Sequence, residues 1–150
     1  MQLLLTRRRI LSTAAGVGLA SLAPRARATE TEMAAAIHDL IGEAPLAAGK
    51  VKLELPSIVE NGNTVPLTVS VESPMTEADH VERIHILNQK NPQPFVAAFH
   101  LGPRAGKASV ATRIRLADSQ RVVAIARLSD GSFWSDSADV IVTLAACTEQ

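Results

Sequence analysis

The sequence predicts an all-β protein built as one antiparallel β-sandwich with a short N-terminal helix. Apolar and polar residues alternate along several runs of six to eight residues, which is the period of strands with one buried face. Two turn-forming dipeptides, Asn61-Gly62 and Asp130-Gly131, lie between such runs. Because a series of short strands separated by turn signals is typical of sandwiches, we expect an immunoglobulin-like fold.

The helix is predicted over residues 30–41. Apolar or small residues recur there at helical spacing, at Met33, Ala36, Ile37, Leu40 and Ile41. Gly42 follows the last of them, and glycine commonly ends helices.

The strands begin with Lys50–Leu55. Ile58-Val59 and Val65–Val71 lie on either side of Asn61-Gly62, a turn signal typical of hairpins. Every second residue from Val65 to Val71 is apolar, which predicts one buried face. Further strands are predicted at Arg83–Asn88, Phe95–Leu101, Val110–Leu116, Arg121–Leu128 and Asp139–Leu144. Asp130-Gly131 predicts a second turn, which leads into Phe133-Trp134.

Residues 1–28 have the pattern of a twin-arginine signal peptide. A run of arginines within residues 6–11 is followed by a short, weakly apolar stretch at residues 10–23. Ala26-Arg27-Ala28 matches a cleavage site, so the mature chain is expected to begin at Thr29. The apolar stretch is too short to span a bilayer, which argues against an uncleaved anchor. We therefore expect a periplasmic protein with a sandwich domain at 29–144 and a tail at 145–150.

Removal of this segment changes the charge of the chain. The full sequence has 15 basic and 15 acidic side chains, and five of the arginines lie in residues 1–28. The mature chain therefore carries a net charge of about −5, since it keeps 10 basic side chains and all 15 acidic ones. An acidic domain without a basic stripe argues against nucleic-acid binding.

The sequence offers little for catalysis inside the domain. It has no glycine-rich phosphate loop and no Gly-x-Ser-x-Gly motif, so neither a catalytic residue nor a cofactor is expected. The sequence has five side chains of the types that bind iron or copper, four histidines and one cysteine: His38, His80, His85, His100 and Cys147. Their spacing does not support a metal site, because His85 should point to the opposite face from Ile84 and Ile86.

Cys147 is the only cysteine of the chain, and it follows the apolar run that ends at Leu144. A cysteine beyond the last strand is not packed as a core residue, so we expect an accessible thiol. A terminal segment without a function is the other interpretation. One cysteine also means that no intramolecular disulfide can form.

Several segments resemble one family. They are Glu60–Pro66, Ala97–Pro103, Ala111–Ala117 and Leu128–Ser132, followed by an apolar strand and a terminal cysteine. In this order they resemble SoxY, the sulfur-carrier subunit of the periplasmic thiosulfate-oxidising Sox system. The resemblance covers essentially the whole mature chain and includes the type of signal peptide.

The resemblance implies a non-enzymatic carrier with a known set of partners. It implies pairing with a second sandwich subunit, SoxZ, and oxidative loading of Cys147 with thiosulfate by the haem protein SoxAX. SoxB would then release sulfate, and a sulfane dehydrogenase would oxidise the remaining sulfur. We also expect exposed strand edges at Val65–Val71 and Val140–Leu144 that a SoxZ-like partner covers in a heterodimer.

The tail departs from the family pattern. The family has Gly-Gly-Cys-Gly-Gly, whereas this chain has Ala145-Ala-Cys-Thr-Glu-Gln150. Alanine and threonine restrict the backbone more than glycine does, so slower loading is expected. Glu149 disfavours the thiolate, which predicts a thiol pKa at or above about 8.5.

Two other functions stay open on the sequence. One is a SoxY-like interaction domain whose carrier arm is impaired and whose Cys147 is incidental. The other is a metal-binding redox sandwich such as a superoxide-reducing iron protein, which the missing Cys-x-x-His arrangement disfavours.

Overall fold

The computed structural model describes residues 30–144. The expected signal peptide at 1–28 and the tail with Cys147 lie outside the described residues. One α-helix, nine strands and a short 3-10 helix at Pro103–Ala105 make up the described part: α1 (Glu30–Ile41), β1 (Leu46–Ala48), β2 (Val51–Glu54), β3 (Ile58–Asn61), β4 (Val65–Val71), β5 (Val81–Asn88), β6 (Phe95–His100), β7 (Ser109–Ile114), β8 (Gln120–Leu128) and β9 (Phe133–Leu144). No helix in this part is long and apolar enough to cross a membrane.

The strands form two sheets, which confirms the predicted all-β sandwich. The large sheet has the order β1-β9-β8-β5-β6, with β3 also paired to β9, and the small sheet has the order β2-β4-β7. Most neighbouring strands are antiparallel, as predicted. The exceptions are β1 and β3, which both run parallel to β9 along the same edge. Together these two short strands cover most of the outer edge of β9.

The main core lies between the two sheets. The predicted buried face of β4 is confirmed, because Val65, Leu67, Val69 and Val71 all lie in this core. They face Ile84 and Ile86 of β5 and alternating apolar residues of β8 and β9. The sheets are also joined by a polar contact, since the amide of Leu53 donates a hydrogen bond to the carboxylate of Asp136 at 2.8 Å.

A second, smaller core lies on the other face of the large sheet. Helix α1 covers that face with Met33 and the neighbouring apolar side chains of its predicted stripe. Beneath it lie Leu87 of β5 and Val123 and Ile125 of β8. The helix has the predicted bounds, and Gly42 ends it with a φ of 60°, which favours glycine. The large sheet is therefore covered on both faces over much of its area.

The strand pairing differs from what the local signals suggest. The runs on either side of Asn61-Gly62 do not pair with each other, because β3 pairs with β9 while β4 pairs with β2 and β7. The expected edge at Val65–Val71 is wrong, since β4 is the central strand of its sheet. The run Val140–Leu144 is paired with β3 on one side and extends past the end of β8 on the other. Alternation identifies a strand and its buried face, but it does not identify the neighbours of that strand.

Candidate functional site

The candidate reactive atom, the sulfur of Cys147, lies outside the described residues, but the point where its segment begins is described. Cys147 is the third residue after Leu144, the last residue of β9. A residue spans at most about 3.6 Å, so the Cα atom of Cys147 lies within about 11 Å of that of Leu144. The surface around Leu144 therefore limits where this cysteine can be presented.

Backbone hydrogen bonds fix the end of β9 against β3. Asn61 is the register partner of Leu144, and the amide of Gly62 donates to the carbonyl of Leu144 at 2.9 Å. The hydroxyl of Thr143 donates to the carbonyl of Glu60 at 3.2 Å. The tail thus starts from an anchored strand end rather than from a frayed one.

The turn after β3 is itself tied to the rest of the fold. The side-chain oxygen of Asn61 accepts a hydrogen bond from the amide of Asn63 at 2.9 Å, which is the local bond that favours asparagine in turns. The buried Gly62 accepts from the amide of Leu116 at 2.8 Å. The turn signal in the sequence therefore builds the support of the tail instead of a hairpin.

On its other side, β9 continues past the end of β8. The hydroxyl oxygen of Ser119 accepts a hydrogen bond from the amide of Val142 at 2.9 Å. This side chain takes the place of the next ladder partner, because β8 begins only at Gln120, opposite Val140. Both sides of the last residues of β9 are thus hydrogen-bonded.

Three exposed apolar side chains surround this strand end. Ile58 and Ile141 are register partners on the same face, and they are 61% and 55% exposed. Leu144 is 67% exposed, but it lies on the opposite face of β9, the face of Val140 and Val142. We call Ile58 and Ile141 the tail-root patch. The sequence alone does not predict this patch, because the pairing of β3 with β9 brings Ile58 beside Ile141. Its one signal in the sequence is an isoleucine at an outward position between Val140 and Val142.

An ion pair borders the patch. The guanidinium of Arg121 binds the carboxylate of Asp139 with two hydrogen bonds of 2.9 and 3.1 Å. Arg121 lowers the pKa of Asp139, while Asp139, and more weakly Glu30, raise the pKa of Arg121. Both side chains are exposed, so this pair marks the border of the patch more than it stabilises the fold.

The histidines do not come together as a metal site. His38 lies 3.0 Å from Glu43, and His80 Nδ1 lies 3.0 Å from the carbonyl of Thr76. As predicted, His85 faces away from Ile84 and Ile86, which belong to the main core. Within residues 30–144, no group of three His, Cys, Asp or Glu side chains has the arrangement that a metal ion requires.

His85 is a buried histidine on the helix-covered face of the large sheet. Its ring lies edge-on to that of Phe95, with 5.6 Å between the centroids. Burial lowers the pKa of His85, and the nearby charges of Arg83 and His100 lower it further. Burial therefore favours the uncharged form of the ring.

The chain was compared with protein families and with known proteins. The model of the family described as sulfur oxidation protein SoxY matches residues 37–147. A comparison with curated protein sequences found no match.

Solved structures were compared in the same way. The structure of the sulfur carrier protein SoxY from Chlorobium limicola f thiosulfatophilum is similar with a TM-score of 0.63 and 29% identity, over 76% of this chain and 98% of that one. Superoxide reductase from Ignicoccus hospitalis has a TM-score of 0.56 and 20% identity, over 63% and 80% of the two chains. Superoxide reductase from Nanoarchaeum equitans has a TM-score of 0.53 and 10% identity, over 64% and 100%. At these identities the two reductases share only the fold.

Proposed function

Because the chain belongs to the SoxY family of sulfur oxidation proteins, we propose that it is a periplasmic sulfur carrier that binds thiosulfate-derived sulfur covalently on Cys147. One observation carries the proposal: the family match extends to Cys147 itself, at its last matched position. The similar structure from Chlorobium limicola f thiosulfatophilum, 98% of whose chain is matched, is described as a sulfur carrier protein, which supports the same role.

The proposed chemistry needs one thiol and an external oxidant. In loading, the Cys147 thiolate and the outer sulfur of thiosulfate form an S–S bond. The thiol proton goes to solvent, and two electrons go to the haem partner, SoxAX. In the next step, water attacks the sulfonate group and releases sulfate with its protons, which leaves a persulfide on Cys147. SoxB would catalyse this hydrolysis, and a sulfane dehydrogenase would oxidise the persulfide sulfur.

The domain contributes position rather than catalysis in this proposal. The last residues of β9 are hydrogen-bonded on both sides, to β3 and to Ser119, so the tail leaves from a fixed point. From that point the sulfur can enter a partner's active site while the sandwich stays outside. We therefore propose a covalent carrier that is not itself an enzyme.

A SoxZ-like sandwich subunit is the proposed stable partner. The described part of the chain leaves the outer edge of β6 without a neighbouring strand, and Phe95 on that strand is 42% exposed. Open edges favour pairing with another chain. Co-purification and light scattering are expected to give a one-to-one heterodimer. A stable monomer in the presence of the SoxZ-like subunit would contradict this assembly.

Export is proposed from the signal sequence. N-terminal sequencing of periplasmic material is expected to give Thr29 as the first residue, within a few positions. A chain that begins at Met1 in the membrane fraction would contradict it.

Intact-mass measurement tests the carrier role. The reduced protein, in complex with its partner subunit, is incubated with thiosulfate and the oxidising haem protein. We expect a mass gain of one thiosulfate that a reducing agent reverses, and no gain for Cys147→Ser. A gain that survives this substitution, or no gain with a haem protein that loads another SoxY, would refute the carrier assignment.

The tail sequence motivates a second candidate, an interaction domain with an impaired arm. Ala145 and Ala146 stand where the family pattern has glycines. A variant with Ala145→Gly and Ala146→Gly separates the two functions. For a slow carrier, the wild type loads and the variant loads faster. For an impaired arm, only the glycine variant gains mass.

A further inference from the structure

We propose that the tail-root patch is the docking surface for the enzymes that act on Cys147, and that the rim of their active-site opening lies against Ile58 and Ile141. The proposal rests on the carrier function proposed above and adds where a partner binds and what its surface is made of. That rim should be apolar at its centre and basic at its side.

The length of chain between β9 and the cysteine sets the first limit. The Cα atom of Cys147 lies within about 11 Å of that of Leu144, because three residues span no more than that. An enzyme that encloses the sulfur must therefore bring its opening to the surface around Leu144. Any such enzyme contacts the residues that surround the end of β9.

The residues at that position are suited to docking. Both members of the tail-root patch are more than half exposed, whereas Leu46 and Phe95, which lie elsewhere in the described part, are 36% and 42% exposed. Apolar surface of this kind, bordered by polar groups, is typical of interaction sites. Because the patch is small, the contact is weak and brief, as a carrier that visits several enzymes needs.

Charges give the expected chemistry of the partner. Glu60 is exposed and lies on the same face of β3 as Ile58, next to the strand end. On the other side, Asp139 is already neutralised by Arg121, and Glu30 contributes a further carboxylate near that arginine. The surroundings of the patch are therefore acidic, and a basic flank on the partner's rim would complement them.

Helix α1 does not cover the patch. It begins at Glu30, close enough to Arg121 to raise the pKa of that guanidinium, and Arg121 pairs with Asp139, two residues before Ile141. Only Thr29 precedes the helix in the proposed mature chain. The stable sandwich subunit is the other candidate to occupy this face, and the experiment distinguishes it from the loading enzyme.

The test compares two variants of the mature chain, Ile141→Glu and Leu46→Glu, each in complex with the sandwich subunit. Ile141→Glu alters the patch, and Leu46→Glu is the control, because β1 pairs with the opposite end of β9 along the same edge. Two rates are measured for each: the reaction of Cys147 with a small aromatic disulfide, and the loading of thiosulfate by the haem protein at a low carrier concentration.

We expect Ile141→Glu to lose at least about tenfold in the enzymatic loading rate, while its reaction with the small disulfide changes by less than about twofold. Leu46→Glu is expected to keep both rates within about twofold. Glu60→Gln should weaken the dependence of loading on salt, because the proposed basic flank loses its counterpart.

Three results would overturn the proposal. Unchanged enzymatic loading of Ile141→Glu would mean that the patch is not contacted. Loss of the sandwich subunit from this variant would assign the patch to that subunit. Equal slowing of both rates would mean that the substitution acts on the tail itself. Loading that survives Cys147→Ser is a different failure, since it removes the carrier function on which the proposal rests.

Discussion

Two isoleucines on the same face of the large sheet differ in their burial. Ile125 of β8 is fully buried beneath helix α1, whereas Ile141 of β9 is 55% exposed on the same face. The register places Ser135 opposite Ile125, and Ile141 lies six residues further along β9, so both side chains point to the same side. Ile125 therefore stabilises the fold by its burial, whereas Ile141 contributes little to the core.

The difference lies in what covers the face. The apolar stripe of α1 reaches Leu87, Val123, Ile125 and Phe133, and the helix begins near the Arg121–Asp139 ion pair. Beyond that pair, Ile58 and Ile141 stay 61% and 55% exposed. Their exposure is the observation on which the proposed docking surface rests.

The largest expected difference between Ile125 and Ile141 is in the free energy of unfolding that each substitution costs. Ile125→Ala is expected to lower the free energy of unfolding by about 2–5 kcal/mol, because it leaves a cavity beneath the helix. Ile141→Ala should change it by no more than about 0.5 kcal/mol, as is usual for surface positions. Urea unfolding of both variants measures the two values. Similar losses for the two isoleucines would contradict the distinction between a covered and an uncovered stretch.

A second pair of matched residues tests how β9 itself is held. Asp136 accepts the amide of Leu53 from the small sheet at 2.8 Å, whereas Asp139 pairs only with the exposed Arg121 among the bonds described for its side chain. Asp136→Ala should cost about 1–2 kcal/mol of unfolding free energy, because the amide of Leu53 loses a charged acceptor in a half-buried position.

Asp139→Ala is the control and should leave stability unchanged within error, since exposed ion pairs contribute little. Thermal and urea unfolding in the same buffer compare the two variants. Equal destabilisation by both would mean that these two positions of β9 are held alike, which the hydrogen bonds do not predict.

Much of the covered region could be predicted from the sequence. The helical spacing of apolar residues and Gly42 gave the bounds of α1, and the alternation from Val65 to Val71 gave β4 and its buried face. These signals are local, because each depends on the period of a single element and on its turn residues. The orientation of His85 away from the main core followed from the same alternation.

The tail-root patch, which helix α1 does not cover, could not be predicted in the same way. It depends on β3 pairing parallel with β9, and the two strands lie about eighty residues apart in sequence. The Asn61-Gly62 signal favoured a local hairpin, but the buried face of β4 is used by the small sheet, and β3 instead covers the edge of β9. The three-residue β1 is too short for its alternation to be detected. The role proposed for Cys147 rests on its uniqueness and on its position after the last strand, and it stays a prediction.

The smallest expected effect is on the pH dependence of folding stability, and it concerns His85 on the helix-covered face of the large sheet. His85 is the register partner of Ile125, and its pKa lies below the ordinary value of about 6.5 because of burial and the charges of Arg83 and His100. The unfolded chain therefore binds a proton at a higher pH than the folded chain does. Stability is fully present above about pH 6.5 and is lost as the pH falls towards the lower folded value.

His85→Gln is expected to remove this part of the pH dependence between pH 7.5 and 5.5, which for one proton cannot exceed about 1.4 kcal/mol per pH unit. The comparison uses the slope of unfolding free energy against pH, so a constant loss from altered packing against Phe95 does not affect it. If His85→Gln keeps the wild-type slope, the histidine is not buried as the structure has it.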